Sequence, residues 1–77
     1  MDIKLKDMQA GASGVVTGYD KSAAAYRDRL LSMGLTKGTA FTVVRLAPLG
    51  DPVEIEVRGF NLSLRKDEAN VLMVRSL

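Results

Sequence analysis

The residues that could do chemistry in this chain are carboxylates, lysines and arginines, because the sequence contains neither histidine nor cysteine. It therefore lacks the commonest general base, the usual nucleophile–base pairs and the preferred ligands of zinc, copper and haem. We expect a protein that is not an enzyme and has no catalytic residues. Without disulfides, so short a chain must be stabilised by close packing alone.

Glu54 and Glu56 lie two residues apart on a predicted strand, so their side chains project from one face. Paired carboxylates can hold a hard cation or ferrous iron, although alternating charge on a solvated strand face is the ordinary structural explanation. We treat them as weak metal-ligand candidates. No cofactor is expected to be required, and divalent cation binding by the isolated protein should be weak or absent, because a flat face provides little preorganised coordination.

Two further classes of site are disfavoured by spacing and charge. Gly34 and Gly38 are too close for a phosphate loop, and Lys37 precedes the second glycine instead of following it, so we predict no nucleotide site. The net charge is only +2 and is spread along the chain, which gives no electrostatic reason to expect nucleic acid binding. Small barrels can bind nucleic acid through arginines and aromatics on strands, but we expect the aromatics to be core residues: Tyr19, Tyr26, Phe41 and Phe60.

Alternating apolar and polar residues predict several short strands. The clearest pattern covers residues 53–57 and 60–65, whose apolar rows would share one face in a hairpin turning near Gly59. The apolar positions of 39–46 change parity near Val43 and Val44, which a bulge would reconcile. With strands at 3–5, 14–19 and 71–74, five or six antiparallel strands in 77 residues indicate a small, closed barrel.

One segment has helical character instead. Residues 23–33 form a predicted helix, the only long one, with Ser22 as N-cap and Gly34 ending it in a left-handed conformation beside Leu35. At 100° per residue, Tyr26, Leu30 and Met33 fall within about 60° of one another and define the face packed on the barrel. Leu31 lies about 140° from the centre of that face.

Binding of a partner is the function that these features favour. Leu31 points away from the core, Arg27 lies one turn before it, and Leu49 occupies a shaped loop at 47–52 where an apolar side chain is available to a partner. We therefore assign a partner-binding surface to Leu31, Arg27, Leu35 and Leu49. The loop itself should be rigid, with structural roles for Pro48, Gly50, Asp51 and Pro52.

Length and hydropathy limit the organisation of the chain. Residues 1–77 are too few for two separately cored units, so we expect one domain. No apolar stretch approaches the roughly 18 residues of a spanning helix, and the start alternates charged and apolar residues, unlike a secretion signal. A cytoplasmic protein without direct membrane insertion is expected.

The pattern resembles the FeoA family in residues that occur in order along nearly the whole chain. They are Leu30-Leu31-Ser32-Met33-Gly34-Leu35, Gly38, Ala47-Pro48-Leu49-Gly50-Asp51-Pro52, Arg58-Gly59, Leu64-Arg65 and Glu68-Ala69. The resemblance implies an SH3-like barrel with an inserted helix. It also implies a role beside FeoB, the ferrous iron transporter with a cytoplasmic GTPase domain, at the inner face of the membrane.

The resemblance leaves the mechanism open, because SH3-like barrels serve many functions. Related modules also form the C-terminal domains of metal-dependent repressors, so a regulatory module acting with such a repressor is one alternative, and a weak divalent-metal-binding protein is another. The sequence does not indicate an oligomeric state or the direction in which the GTPase would be modulated.

Overall fold

The computed structural model describes residues 2–77, except for the side chains of Ser22 and Ala23 and the surroundings of Gly50. The described residues form two α-helices and six strands: α1 (Arg27–Ser32), α2 (Lys66–Val71), β1 (Ile3–Lys4), β2 (Ser13–Tyr19), β3 (Ala40–Leu46), β4 (Val53–Val57), β5 (Phe60–Leu64) and β6 (Leu72–Ser76). Short 3-10 turns occupy Leu5–Asp7, Lys21–Ala25 and Pro48–Gly50. The predicted mainly β fold is confirmed.

The six strands form one antiparallel sheet in the order β1-β6-β2-β3-β4-β5. Among the described residues, β1 and β5 are not paired with each other, so hydrogen bonding does not complete the closed barrel expected from the sequence. The barrel is instead filled by apolar side chains from all six strands and both helices. One edge of β5 therefore has no strand partner within the part of the chain that the structure describes.

The hairpin of β4 and β5 has the register that the alternation predicts. Ile55 lies opposite Leu62, and Val53 lies opposite Leu64. Val53, Ile55 and Leu64 are buried. The expectation that Phe60 is a core residue is wrong. Its side chain is 71% exposed, because Phe60 adjoins the turn, where the hairpin extends beyond the core. The other three aromatics do contribute to the core, Phe41 fully and the two tyrosines in part.

The bulge expected in β3 is confirmed. The register with β4 shifts between Val43 and Arg45, so Val44 is skipped in the ladder. Phe41 and Val43 are buried before the shift, and Val44 is 44% exposed at it. The extra residue therefore resolves the change in apolar parity.

The helix predicted at 23–33 is shorter than expected. The 3-10 turn precedes it, and α1 begins only after Tyr26, whose φ of −113° departs from helical geometry. The proposed N-cap, Ser22, lies outside the residues whose side chains are described. The predicted packing face is confirmed, because Leu30 is buried and both Tyr26 and Met33 pack partly buried against the core.

The end of α1 is the one the sequence predicts. Gly34 has φ +84°, its amide donates to the Leu31 carbonyl at 3.0 Å, and the amide of Leu35 donates to the Leu30 carbonyl at 3.1 Å. These are the two hydrogen bonds of a Schellman motif. Leu30 and Leu35 are both fully buried, which supplies its apolar contact.

The expectation of a single long helix is wrong, because α2 has the same six-residue length as α1. The sequence offered no Ser, Thr, Asp or Asn at the N-cap, which is Arg65. Capping comes instead from Glu68, whose Oε1 accepts from the Arg65 amide at 2.8 Å, and from Asp51, whose Oδ1 accepts from the Lys66 amide at 3.2 Å. Because Asp51 is distant in sequence from Lys66, a local sequence pattern does not predict this helix.

Candidate partner-binding site

The outer face of α1 carries the first two residues assigned to a partner surface. Leu31 is 38% exposed, whereas its neighbour Leu30 is completely buried, so the helix separates the two leucines as predicted. Arg27 is exposed one turn earlier on the same face. The helix thus presents an apolar side chain and a cation together, on a segment whose opposite face is held in the core.

Leu35 does not fit the role proposed for it. Its side chain has no exposed surface, because it follows the left-handed Gly34 and turns back onto the core beside Leu30. A fully buried side chain cannot contact a partner directly. Leu35 is a structural residue that fixes the end of α1.

The loop at 47–52 presents Leu49 more openly than α1 presents Leu31. Its side chain is 92% exposed, and its φ of +66° is in the left-handed region that leucine disfavours. The loop is closed at its base by a hydrogen bond from the Ala47 amide to the Pro52 carbonyl at 3.2 Å. The conformation expected of Gly50 lies outside the described residues.

The first turn of α2 connects this loop to α1. The Asp51 carboxylate accepts from the Lys66 amide, as described above, which ties the loop to the start of α2. On the other side, Arg29 Nε lies 2.6 Å from Glu68 Oε2, and the Tyr26 hydroxyl lies 3.4 Å from Asp67 Oδ2. The two elements that carry Leu31 and Leu49 are therefore both fixed to one short helix.

Glu68 is the residue that sequence reasoning missed. It is only 2% exposed, and its two carboxylate oxygens serve the Arg65 amide and the Arg29 side chain, respectively. From the sequence, Asp67 and Glu68 are explained simply as acidic residues that the helix dipole favours in a first turn. The helix α2 packs mainly against the 3-10 turns at Leu5–Asp7 and Lys21–Ala25, and the Arg29 side chain reaches Glu68 from α1. The burial of Glu68 follows from this tertiary arrangement, which no local pattern reveals.

Arg27 has an electrostatic effect inside the molecule as well. The Tyr19 hydroxyl donates to the Leu35 carbonyl, and burial raises the pKa of Tyr19 above its ordinary value, an effect that the positive charge of Arg27 partly opposes. Arg27 and Tyr19 also line the same surface pocket, between α1 and the end of β2. This places a cation at the junction of helix and sheet.

The described residues bring together no group of three or more metal-ligating side chains. Glu54 is half-buried and lies opposite Arg45 in the ladder, while Glu56 is exposed opposite Thr42. Glu54 thus has a cationic cross-strand neighbour, which accounts for a charge at that position. None of the helices within residues 2–77 is long and apolar enough to span a membrane.

Comparison with known proteins agrees with this architecture. The sequence model of the FeoA domain matches residues 3–76. A curated relative from Porphyromonas gingivalis, an Fe(2+) transport protein A/Fe(2+) transporter FeoB fusion protein, is 34% identical over 67 residues. That match covers 87% of this chain but only 8% of the relative's length.

Solved structures show the same fold. An NMR structure of a FeoA-like protein from Clostridium acetobutylicum superposes with a TM-score of 0.88 at 33% identity, covering 99% of this chain and 87% of that one. The crystal structure of FeoA from Stenotrophomonas maltophilia complexed with zinc gives a TM-score of 0.80 at 28% identity, covering 95% and 89%. That protein is described as an SH3 domain protein, which confirms the expected SH3-like architecture. The chain therefore belongs to the FeoA domain family of ferrous iron transport proteins.

Proposed function

We propose that this chain is a non-enzymatic accessory protein of bacterial ferrous iron uptake, which binds the cytoplasmic face of a FeoB-type transporter and modulates its GTPase. The observation that carries the proposal is the fusion of the two proteins in the relative from Porphyromonas gingivalis. Fusion raises the effective concentration of one module at the other, which benefits modules that act by contact. The Stenotrophomonas protein is itself put forward as an activating factor of ferrous iron transport.

The contact residues of the proposed interface are Leu31, Arg27 and Leu49. Leu31 and Arg27 belong to a helix whose other face is anchored by Leu30, by the Schellman motif and by the Glu68 ion pair. A side chain on such a fixed element loses little conformational freedom on binding, which favours affinity. Arg27 adds an arginine, a residue type that is enriched at binding hot spots.

Leu49 supports the same interpretation by a different route. A leucine at φ +66° strains the backbone, and a side chain that is 92% exposed gains nothing from the core in return. A residue kept under strain without a stabilising contact is accounted for by a contact with a partner.

The proposal is tested by measuring the affinity of the purified cytoplasmic domain of a FeoB-type transporter for three variants. Leu31→Ala should weaken binding about five- to thirty-fold, the effect of losing roughly 1 to 2 kcal/mol at an anchor, while the free protein melts normally. Val44→Ala is the matched control, because Val44 is comparably exposed but lies on β3. Leu30→Ala marks the opposite case and should lose about 2 to 5 kcal/mol of folding stability.

Leu49→Asn provides an independent arm. Asparagine tolerates the left-handed region, so folding stability should be equal or slightly higher, whereas transporter binding should fall. If Leu31→Ala and Leu49→Asn both bind the transporter as the wild type does, the proposed surface is wrong. Capture of a metal-dependent repressor in place of the transporter would favour the regulatory alternative.

A further inference from the structure

The free edge of the sheet at β5 has the features of a peptide-binding strand. β5 ends the strand order and pairs only with β4, so one of its two edges has no strand partner among the described residues. The other end of the sheet, β1, spans only two residues. The β5 edge is therefore the longer of the two by three residues, and its first four residues are exposed or half-buried.

The register identifies which backbone groups face outward. Val57 and Phe60 close a two-residue turn and form a hydrogen-bonded pair, so the ladder bonds to β4 come from Phe60, Leu62 and Leu64. The amide and carbonyl groups of Asn61 and Ser63 consequently point away from β4. They are available to a further strand.

A groove runs beside this edge and continues the apolar face of the hairpin. It has a volume of about 430 Å³ and lies between β5 and the end of α1, with Met33, Val57, Phe60 and Leu62 among its walls. Because Phe60 and Leu62 lie on the core-facing side of β5, a strand added to the edge would direct every second side chain into this groove.

Charge distinguishes between possible occupants. Arg58 lines the groove at the turn end, and Arg65 and Lys66 follow β5 at the other end. If two copies of β5 paired antiparallel with Asn61 opposite Ser63, Arg58 of each copy would face Lys66 of the other, and like charges would meet at both ends. An acidic residue in a different chain would instead be attracted there.

We propose that β5 binds an extended peptide by strand addition, and that the peptide carries apolar residues at alternate positions between acidic ends. Main-chain hydrogen bonds to Asn61 and Ser63 would supply affinity, while the groove and Arg58 would select the side chains. This surface is separate from the residues proposed above for the transporter contact. Neither proposal depends on the other.

The test uses the full chain and a capped synthetic heptapeptide, Glu-Leu-Thr-Val-Thr-Leu-Glu. Amide exchange measured by NMR should slow at Asn61 and Ser63 when the peptide binds. The matched control peptide has lysine in place of both glutamates and should bind about tenfold more weakly or worse. No saturable binding of the glutamate peptide, or shifts confined to residues outside β5 and the groove, would overturn the proposal.

Variants separate strand addition from ordinary side-chain contact. Ser63→Pro removes one outward amide without removing a ladder bond to β4, and should weaken binding about tenfold, whereas Ser63→Ala keeps the amide and should stay within about twofold. Thermal melts verify that both variants fold. Equal peptide binding by both would exclude strand addition, and a dimer of the wild-type protein protected at β5 would show that a second copy is the occupant.

Arg58→Asn gives a readout in which stability and binding change in opposite directions. Arg58 and Gly59 have φ values of +53° and +84°, the type I′ turn for which Asn-Gly is the favoured pair. The variant should therefore melt at a higher temperature yet bind the glutamate peptide more weakly. Undiminished binding by Arg58→Asn would show that the arginine has no role in selecting the peptide.

Discussion

At the scale of single residues, the buried carboxylate of Glu68 should make a measurable contribution to the free energy of unfolding. Glu68→Ala removes the acceptor for the Arg65 amide and the partner of Arg29, and should destabilise folding by about 2 kcal/mol, the range of hydrogen bonds to charged groups. Urea denaturation measures the loss. Asp67→Ala, one residue earlier but exposed, should change stability by less than about 0.5 kcal/mol. Equal effects would show that burial of Glu68 is unimportant.

The raised pKa of Tyr19 predicts that folding stability falls at alkaline pH. Its pKa is raised in the folded state by burial, so its contribution is fully present below the unfolded value of 10.0 and is lost as pH rises through the folded value. The wild type should therefore lose more stability between about pH 8 and about pH 11 than Tyr19→Phe, which has no ionisable hydroxyl. Parallel pH profiles for the two proteins would contradict this.

Sequence periodicity predicted the exposure of a side chain well where that exposure depends on a single helix or strand. The 100° advance of a helix separated Leu31 from Leu30 correctly, because both lie within one turn of α1. Two other expectations were wrong: Phe60, placed in the core from the alternation of its strand, is exposed, and Leu35, assigned to the partner surface, is buried. The exposure of each depends on where its element ends relative to the core, which is set by tertiary packing and not by local periodicity.

At the scale of elements, the end of α1 combines backbone conformation with a close contact. A Cβ at Gly34 would lie 3.1 Å from Arg58 Nη1, on a backbone with φ +84°. That nitrogen ends a flexible, exposed side chain that can move by a few tenths of an ångström. Gly34→Ala should therefore cost roughly 1 to 2 kcal/mol, the amount expected from the left-handed conformation alone.

Gly11→Ala is the control for this effect. Gly11 has φ +88°, but a Cβ there would meet nothing within 4 Å, so only the conformational cost should appear. Thermal or urea denaturation compares the two variants. The two variants should lose similar stability. A larger loss for Gly34→Ala, which falls to that of Gly11→Ala in an Arg58→Ala background, would show that the arginine cannot move aside.

Strands and helices differed in how far the sequence revealed them. All six strands were predicted, β4 and β5 from strict alternation of apolar and polar residues, and the others from short apolar or β-branched runs near glycines and other turn residues. The helix α2 was missed, since one of its capping acceptors, Asp51, lies 15 residues away. The lack of pairing between β1 and β5 in the described structure could not be predicted either, because local patterns do not indicate whether the strands at the two ends of a sheet form hydrogen bonds with each other.

At the scale of the whole molecule, the tight packing of the sheet around Gly14 gives a further prediction. A Cβ at this position would lie 2.9 Å from both the Arg75 carbonyl oxygen and Phe41 Cζ. The carbonyl belongs to the paired strand β6 and cannot rotate away, so Gly14→Ala should destabilise folding by about 1 to 3 kcal/mol. Gly14 does not have a positive φ, so alanine adds no backbone strain there and the cost is steric only. An unchanged melting temperature would therefore show that the sheet can shift to make room for the Cβ.

The position of β6 in the sheet bears on how the molecule folds. It is the last of the described strands in chain order, yet it lies between the first two and pairs with both. Neither β1 nor the β6-facing edge of β2 can find its partner until nearly the whole domain has left the ribosome. Such non-local pairing raises contact order and slows folding. During synthesis, β1 and β2 therefore have unpaired edges until β6 has emerged.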